Sequence, residues 1–171
     1  MNVFYKRTSK PEDVVDALSI KETDGKLKFN TWQKLCRSAH GVPHSPLRAM
    51  TYRFFLIGIP SWVSVHLVRH HIGCQPYVTS QRNDRTGAET PRSDVPQGAL
   101  VNMVWDMNAN AVITISKARL CMNASGETRQ VVELMKTELE KGDRYDQILA
   151  AEMGPSCEIY NVCFEPKECG R

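Results

Sequence analysis

Between residues 54 and 68 lies the longest apolar stretch of the chain, 15 residues, and Gly58 and Pro60 inside it decide what it can become. Proline lacks the N–H that a helix interior needs and pushes its predecessor toward extended backbone, so no single helix runs through the stretch. Residues 50–57, rich in aromatic and β-branched side chains, predict a strand stopped by Gly58 and Pro60, and residues 61–71 predict a helix. The stretch ends at Arg69 and is too short to cross a bilayer, which takes about 20 apolar residues. A strand thus hands over to a helix that ends in a basic cluster.

The rest of the 171 residues fits one domain, residues 1–171, with a Cys-rich C-terminal tail at 153–171. Residues 11–18 open with proline and acids, as a short helix does, and Asn30 can cap a second helix through residue 39. Residues 41–46 form a Gly-Pro loop. Residues 81–96 lack periodicity and predict a long functional loop. From 99 to 141 the pattern reads as helical, in two pieces broken near Asn108 or Gly126, and residues 143–153 read as a last helix. No charged-then-apolar leader opens the sequence, so the cytoplasm is the expected compartment and the six cysteines are expected as thiols or metal ligands.

Charge is segregated. All five histidines and seven of the twelve arginines fall between Lys34 and Lys117, an interval without lysine. Arginine presents a planar fork of donors that matches an anion in two bonds, whereas lysine is a hydrated point charge, so this interval suggests shaped anion recognition. A net charge of +3 is too small for a polynucleotide binder. A nucleic-acid module built on Arg69, Arg82, Arg85 and Arg92 with Tyr77 as stacking platform is disfavoured on that ground.

On a helix through residues 65–71, His66, Arg69 and His70 share a face as i, i+3 and i+4 neighbours, with Val65 and Val68 free to face the core. The two histidines have zinc-helix spacing, but no acid accompanies them and Arg69 would repel the ion. Asn108 and Arg119, eleven apart, would share a face of one helix, with Asn123 a turn beyond and Val112, Ile113, Ile115 and Leu120 as apolar bed. Alone, Arg119 reads as the partner of an acid such as Asp106 or Glu127.

Together these segments resemble a known family. Arg69, His70 and His71, with Ser80, Gln81 and Arg82 after eight intervening residues, are similar to the Arg-His-Arg, seven residues, Ser signature of the flavin-dependent thymidylate synthases. Trp105 to Asn110, then Arg119, Leu120 and Cys121, then Ala124 to Arg129 resemble that family's Asn-Ala-Arg, Leu-Arg and Ala-Gln-Trp-Glu-Ile-Arg run. His44, Ser45, Pro46 and Leu47, followed by Thr51 to Phe54, are similar to its His-x-Ser-Pro-Phe-Glu-His and aromatic strand. Arg92 and Pro96 fall where the family has an arginine and a proline. The likeness runs from His44 to Arg129, half the chain.

The resemblance implies an α/β fold, an antiparallel sheet with packed helices, in a homotetramer whose active sites are shared between subunits. It implies conversion of dUMP to dTMP with methylenetetrahydrofolate as carbon donor and FAD relaying hydride from NADPH, without nucleic acid or membrane as partner. Carried over by residue, Arg69, His70, His71, Asn108 and Thr114 would hold the flavin. His66, Arg69, Ser80, Gln81, Arg82, Arg92 and Arg119 would hold the nucleotide, Arg92 at its phosphate. Arg119 would be the catalytic residue, favouring the pyrimidine ring ionised at N3. A guanidinium fixed beside the ring in a dry site stabilises that anion without acting as a base.

The chain also departs from the pattern. His71 replaces an arginine and brings a side chain type that titrates near neutrality where a permanent charge is usual. Residues 75–79 lack the family's acid, Asn110 replaces an arginine, Thr114 an asparagine, and Arg48 and Ala49 a Glu-His pair. The helical insertion after the serine shrinks to residues 81–91. The chain thus resembles a short, divergent member of that family. No metal is expected at the site. In the tail, Cys157, Cys163 and Cys169 recur every six residues and are candidate ligands of a structural ion, with Cys36 or a histidine as fourth.

Overall fold

At Pro60 the chain does turn from sheet to helix. The computed structural model describes residues 1–18, 25–41, 44–87 and 89–169. Residues 42 and 43 of the expected 41–46 loop lie outside the described residues.

Four strands, β1 (Asn2–Arg7), β2 (Thr51–Pro60), β3 (Cys74–Val78) and β4 (Leu100–Asn108), form one sheet in the order β1-β2-β4-β3, every pair antiparallel. Eight helices accompany them among the described residues: α1 (Pro11–Ala17), α2 (Phe29–Ser38), α3 (Ser61–Val68), α4 (Asn83–Thr86), α5 (Ala109–Arg119), α6 (Gly126–Glu140), α7 (Arg144–Ala151) and α8 (Ser156–Tyr160). Side chains alternate between faces along each strand. On one face the rows Val3, Leu56, Met103 and Tyr5, Phe54, Trp105 run inward, Phe54, Leu56 and Trp105 being fully buried. The helices close over that face with Trp32, Val63, Leu67, Ile113, Val131, Met135 and Leu149 in the same core. Each such side chain contributes about 1.5–3 kcal/mol when fully buried. The opposite face carries the rows Phe4, Phe55, Val104, Tyr77 and Lys6, Arg53, Asp106, Gln75.

At one end of the core, Arg7 donates to Asp143 at 2.8 and 2.6 Å and to Asp146 at 2.9 Å, and the Tyr5 hydroxyl donates to Asp146 at 2.7 Å. Gly142 is required there, since a Cβ would run into the Tyr5 hydroxyl and the Asp146 side chain.

The expected mixed α/β architecture with an antiparallel sheet is found. Several local expectations are corrected. Residues 100–108 are a strand, not helix: Val101, Met103, Trp105 and Met107 are buried and their neighbours are not, a period of two that the helical apolar pattern of 109–119 obscured. β1 and β3 were not anticipated. β2 runs through Gly58 to Pro60, because Gly58 at φ +67 absorbs a register irregularity between Leu56 and Ile59. Lys28, not Asn30, occupies the N-cap of α2. α3 ends at Val68, and Val65 points outward while Val63 and Leu67 face the core. The 81–96 segment contains α4 and a 3-10 turn at Arg92–Asp94.

Candidate active site

The site grows from three chain ends that meet. α3 terminates with Arg69 as C-cap and the His70 N–H bonded to the Leu67 carbonyl at 3.0 Å. The chain then doubles back through Gly73, whose φ of +75 glycine alone adopts without strain, into β3. The Gly73 carbonyl accepts from the Asn108 N–H at 2.9 Å, and the Asn108 Oδ1 accepts from the Ala111 N–H at 2.9 Å, so Asn108 is the N-cap of α5. A Cβ on Gly73 would stand 2.7 Å from the Asn108 amide nitrogen.

Asn108 and Arg119 therefore do not share one helical face; they are the two ends of α5. The buried Val112, Ile113 and Ile115 anchor that helix, and Arg119, its last residue, returns to α3. The Arg119 Nε–H donates to His70 Nε2 at 2.8 Å and an Nη donates to the His66 carbonyl at 3.4 Å. The last carbonyls of a helix lack intrahelical donors and carry partial negative charge, which is why a guanidinium docks there. The acids Asp106 and Glu127 are not its partners. Asp106 instead holds Arg53 in two bonds of 2.6 Å. Asn123 lies beyond α5 and donates to the Lys167 carbonyl at 2.8 Å.

This arrangement fixes the state of His70. A guanidinium N–H can only donate, so His70 Nε2 is the lone-pair acceptor and the proton sits on Nδ1. Burial first, then Arg119 and His71, push His70 below the ordinary imidazole range. Burial and the nearby Arg69 pull Arg119 down from its ordinary value. The two guanidiniums lie close enough to feel each other, and no carboxylate pairs with either among the described residues.

Three recesses adjoin this cluster. Arg69, His70, His71, Ile72, Thr114 and Ile115 line one of ≈ 140 Å³. Arg69 also borders a second, ≈ 260 Å³, with Ser61, Trp62, Val65, His66 and Gln97. There the Trp62 ring meets His66 edge-on at 5.4 Å. The Ser61 hydroxyl, 3.4 Å from Gln81 Oε1, joins the second recess to a third of ≈ 300 Å³ that includes Ser80, Gln81, Asn83 and Asn102. Asn108 borders a separate open groove of ≈ 410 Å³ with Arg48, Thr51, Arg53 and Asp106.

The structure thus gathers His66, Arg69, His70, His71, Thr114 and Arg119, and links Ser80 and Gln81 to them. Arg82 is turned aside: it is exposed and held by Asp84 at 2.9 and 3.0 Å. The Arg92 side chain lies outside what the structure describes. Sequence reasoning missed Trp62, Gln97 and Gly73. Trp62 sits four residues before His66, a helical spacing that was in plain view. Cys121, just after α5, lines one crevice with the tail's Cys157, Cys163 and Cys169 and with Lys117 and Glu165, while Cys36 is buried in α2. All six thiols are free, and among the described residues no three His, Cys, Asp or Glu are set to hold a metal. No described helix is long and apolar enough to cross a membrane.

Comparison with known proteins agrees with the motifs. The sequence model of the thymidylate synthase complementing protein family matches residues 85–142, which include Arg92, Asn108, Thr114 and Arg119. No curated protein matches the chain by sequence. Thymidylate synthase X from Helicobacter pylori, solved with FAD and dUMP, has 14% identity and a TM-score of 0.68, the match covering 90% of this chain and 99% of that one. A second structure of that enzyme gives 12% and 0.63, covering 90% and 100%. The UMP/dUMP methylase PolB from Streptomyces cacaoi, bound with 5-Br UMP, gives 15% and 0.61, covering 91% and 96%. The family resemblance and the fold are borne out.

Proposed function

We propose that this chain, which the sequence model of the thymidylate synthase complementing protein family matches over residues 85–142, is a divergent flavin-dependent thymidylate synthase. In this reading it methylates dUMP to dTMP with methylenetetrahydrofolate, and FAD relays hydride from NADPH. The observation that carries the reading is the meeting of Arg69 and Arg119 without a carboxylate, at a neutral His70, beside connected recesses. Two unneutralised cations in a half-buried site cost energy unless an anion completes them. A nucleotide phosphate, a flavin pyrophosphate and an ionised imide are such anions. The donor set fits.

Each residue then has a task. Arg119, fixed by His70 and by the end of α3, holds negative charge on the pyrimidine ring and lets C5 attack the one-carbon donor. Arg69, His70, His71, Asn108 and Thr114 hold the flavin, which when bound supplies the hydride. His66, Ser80 and Gln81 position the nucleotide, Arg92 meets its phosphate, and Arg82 joins them on leaving Asp84. The recesses at Arg69 are small beside the 300–1,000 Å³ typical of ligand sites. A dinucleotide needs a further wall, which supports a homotetramer of single-domain chains with shared sites. No nucleic acid or membrane takes part.

One observation favours a second reading, a weakened or repurposed relative that binds nucleotide or flavin without making dTMP: the pairing of Arg82 with Asp84. Purified protein distinguishes the two. A flavin absorption spectrum that shifts on adding dUMP, with release of the C5 hydrogen under NADPH and methylenetetrahydrofolate, is the expected result. Binding of flavin or dUMP without hydrogen release selects the second reading, and absence of binding of both ligands defeats both readings.

A further inference from the structure

Four of the six cysteines meet at a place the proposed chemistry does not use. Cys121 stands in the turn after α5, and Cys157, Cys163 and Cys169 belong to the C-terminal tail, the first of them on α8. All four line a single crevice of ≈ 30 Å³, together with Lys117 and Glu165. That is about the share of one water molecule in the liquid, so the crevice admits no organic ligand and leaves the sulfurs as neighbours. Polar contacts seat the tail there: Asn123 Nδ2 donates to the Lys167 carbonyl at 2.8 Å, and Lys117 Nζ donates to the Tyr160 hydroxyl at 3.2 Å. Beyond α8 the described tail has no regular structure, and single hydrogen bonds of this kind hold a segment only weakly.

Exposure is graded across the crevice. Cys121 is buried, Cys157 and Cys163 are half-buried, and Cys169 is exposed. Among the described residues no three His, Cys, Asp or Glu are set to hold a metal, so a tetrahedral ion is not what the arrangement suits. A bond between two sulfurs needs only a pair. We infer that Cys169 and Cys121 form a reversible dithiol pair, and that its oxidation by a low-molecular-weight disulfide such as oxidised glutathione latches the tail onto the end of α5.

Cys169, the thiol a reagent reaches first, attacks one sulfur of the oxidant as thiolate. The S–S bond of the oxidant breaks, a mixed disulfide forms on Cys169, and one glutathione leaves as thiolate. Cys121, inside the crevice, then attacks the Cys169 sulfur and expels the second glutathione. Two electrons pass from the protein thiols to the oxidant, and the two protons they lose end on the two glutathione thiols released. An accessible thiol poised next to a resolving one is the arrangement of redox-responsive cysteines. Arg119 closes α5 two residues before Cys121, so the latch also fixes the end of that helix. Neither flavin nor nucleotide enters the exchange, so it is tested on the ligand-free chain.

The full chain is reduced, freed of reductant, incubated with oxidised glutathione, then alkylated, unfolded and digested with trypsin for mass spectrometry. Cleavage after lysine and arginine leaves Cys121 in residues 120–129, Cys157 and Cys163 together in 145–167, and Cys169 in 168–171, so every pairing has its own mass. The expected product joins 120–129 to 168–171 and separates again on reduction. The oxidised chain is expected to melt about 5 °C or more above the reduced one, because the bond closes a long loop. Cys121→Ala is expected to accumulate glutathione on Cys169. Cys169→Ser, at an exposed position that leaves the fold intact, is expected to slow the loss of the Cys121 thiol by ~10-fold or more, since the accessible thiol is gone. Thiols that stay free under the oxidant, a disulfide confined to 145–167, or a bond between two chains overturns the pair. Linkage without a rise in melting temperature overturns the latch. The proposed function uses none of these thiols, so flavin and dUMP binding by a chain that forms no disulfide would leave that reading standing while this inference falls.

Discussion

Two half-buried arginines sit at different places in the fold and live in opposite surroundings. Arg7, on β1, is saturated: two carboxylates take its donors, and Tyr5 fills a remaining acceptor on Asp146. Burial and the Asp146 bond push the Tyr5 hydroxyl above the ordinary phenol range, so it stays a donor. Arg119, at the end of α5, has a neutral ring and a helix carbonyl as partners and keeps its whole charge. The first arginine closes a core and the second leaves something to be bound. Type and burial alone do not separate a structural cation from a functional one; the bookkeeping of opposite charge around it does.

The contrast is broken most directly by removing each arginine. Arg7→Ala strands Asp146, whose side chain is 6% exposed, and should cost about 3–5 kcal/mol, as breaking a buried pair does. Arg119→Ala removes two hydrogen bonds and relieves repulsion from Arg69, so it should cost about 1 kcal/mol or less. Denaturant unfolding checks both, and equal losses would erase the distinction.

Activity should invert that order. Arg119→Ala should lower turnover by ~10²–10³, the loss seen when one charge-stabilising donor is removed, while flavin absorbance stays largely intact. Release of the C5 hydrogen from dUMP is the measurement. A variant with full turnover would take Arg119 out of the chemistry.

How much of this the sequence disclosed follows the same divide. The strand-to-helix break at Pro60 and the cluster around Arg69 were legible, because proline, arginine and histidine constrain backbone and charge by themselves. The ends of α5 were not. Residues 100–108 alternate with a period of two, yet they run directly into a helix that is buried on most sides, and the summed pattern mimicked one long helix. The Arg7 network escaped for another reason: its members lie more than 130 residues apart, and nothing local marks Asp146 as buried. Spacing likewise could not show that Arg82 would meet an acid only two residues away.

Gly73 sharpens the comparison from the backbone side. It holds a positive φ and leaves room for the Asn108 amide, so Gly73→Ala should cost about 1–3 kcal/mol through strain at that angle and displacement of the helix cap. The damage should also reach the ligands, since the cap sets where α5 begins and hence where Arg119 ends. Gly142→Ala, at the Arg7 network, should destabilise without altering the affinity for flavin or nucleotide in the protein that remains folded. Melting temperature and ligand titration on the pair test this, and parallel effects on affinity would show that the two regions are coupled.

The smallest expected effect is a difference in acid response. His70 is held below the usual imidazole range in the folded chain, so between that depressed value and about 6.5 the unfolded chain binds the extra proton. Stability therefore declines as pH falls through that window and levels off below it, while the protonated ring can no longer accept from Arg119. Asp143 is shifted in the same direction with a different consequence: hydrogen bonding from Arg7 holds its carboxyl below the ordinary range. Its contribution is intact above about 3.9 and is lost only as pH drops through the depressed value. Acid should thus loosen the anion site before it reaches the sealed network. His40, which burial also holds below the usual imidazole range, contributes to the same upper step. His70→Gln, which accepts a hydrogen bond but does not titrate, should therefore shrink the upper step in a melting-temperature profile and leave the lower one, and a profile unchanged by that substitution would place the whole upper step on His40.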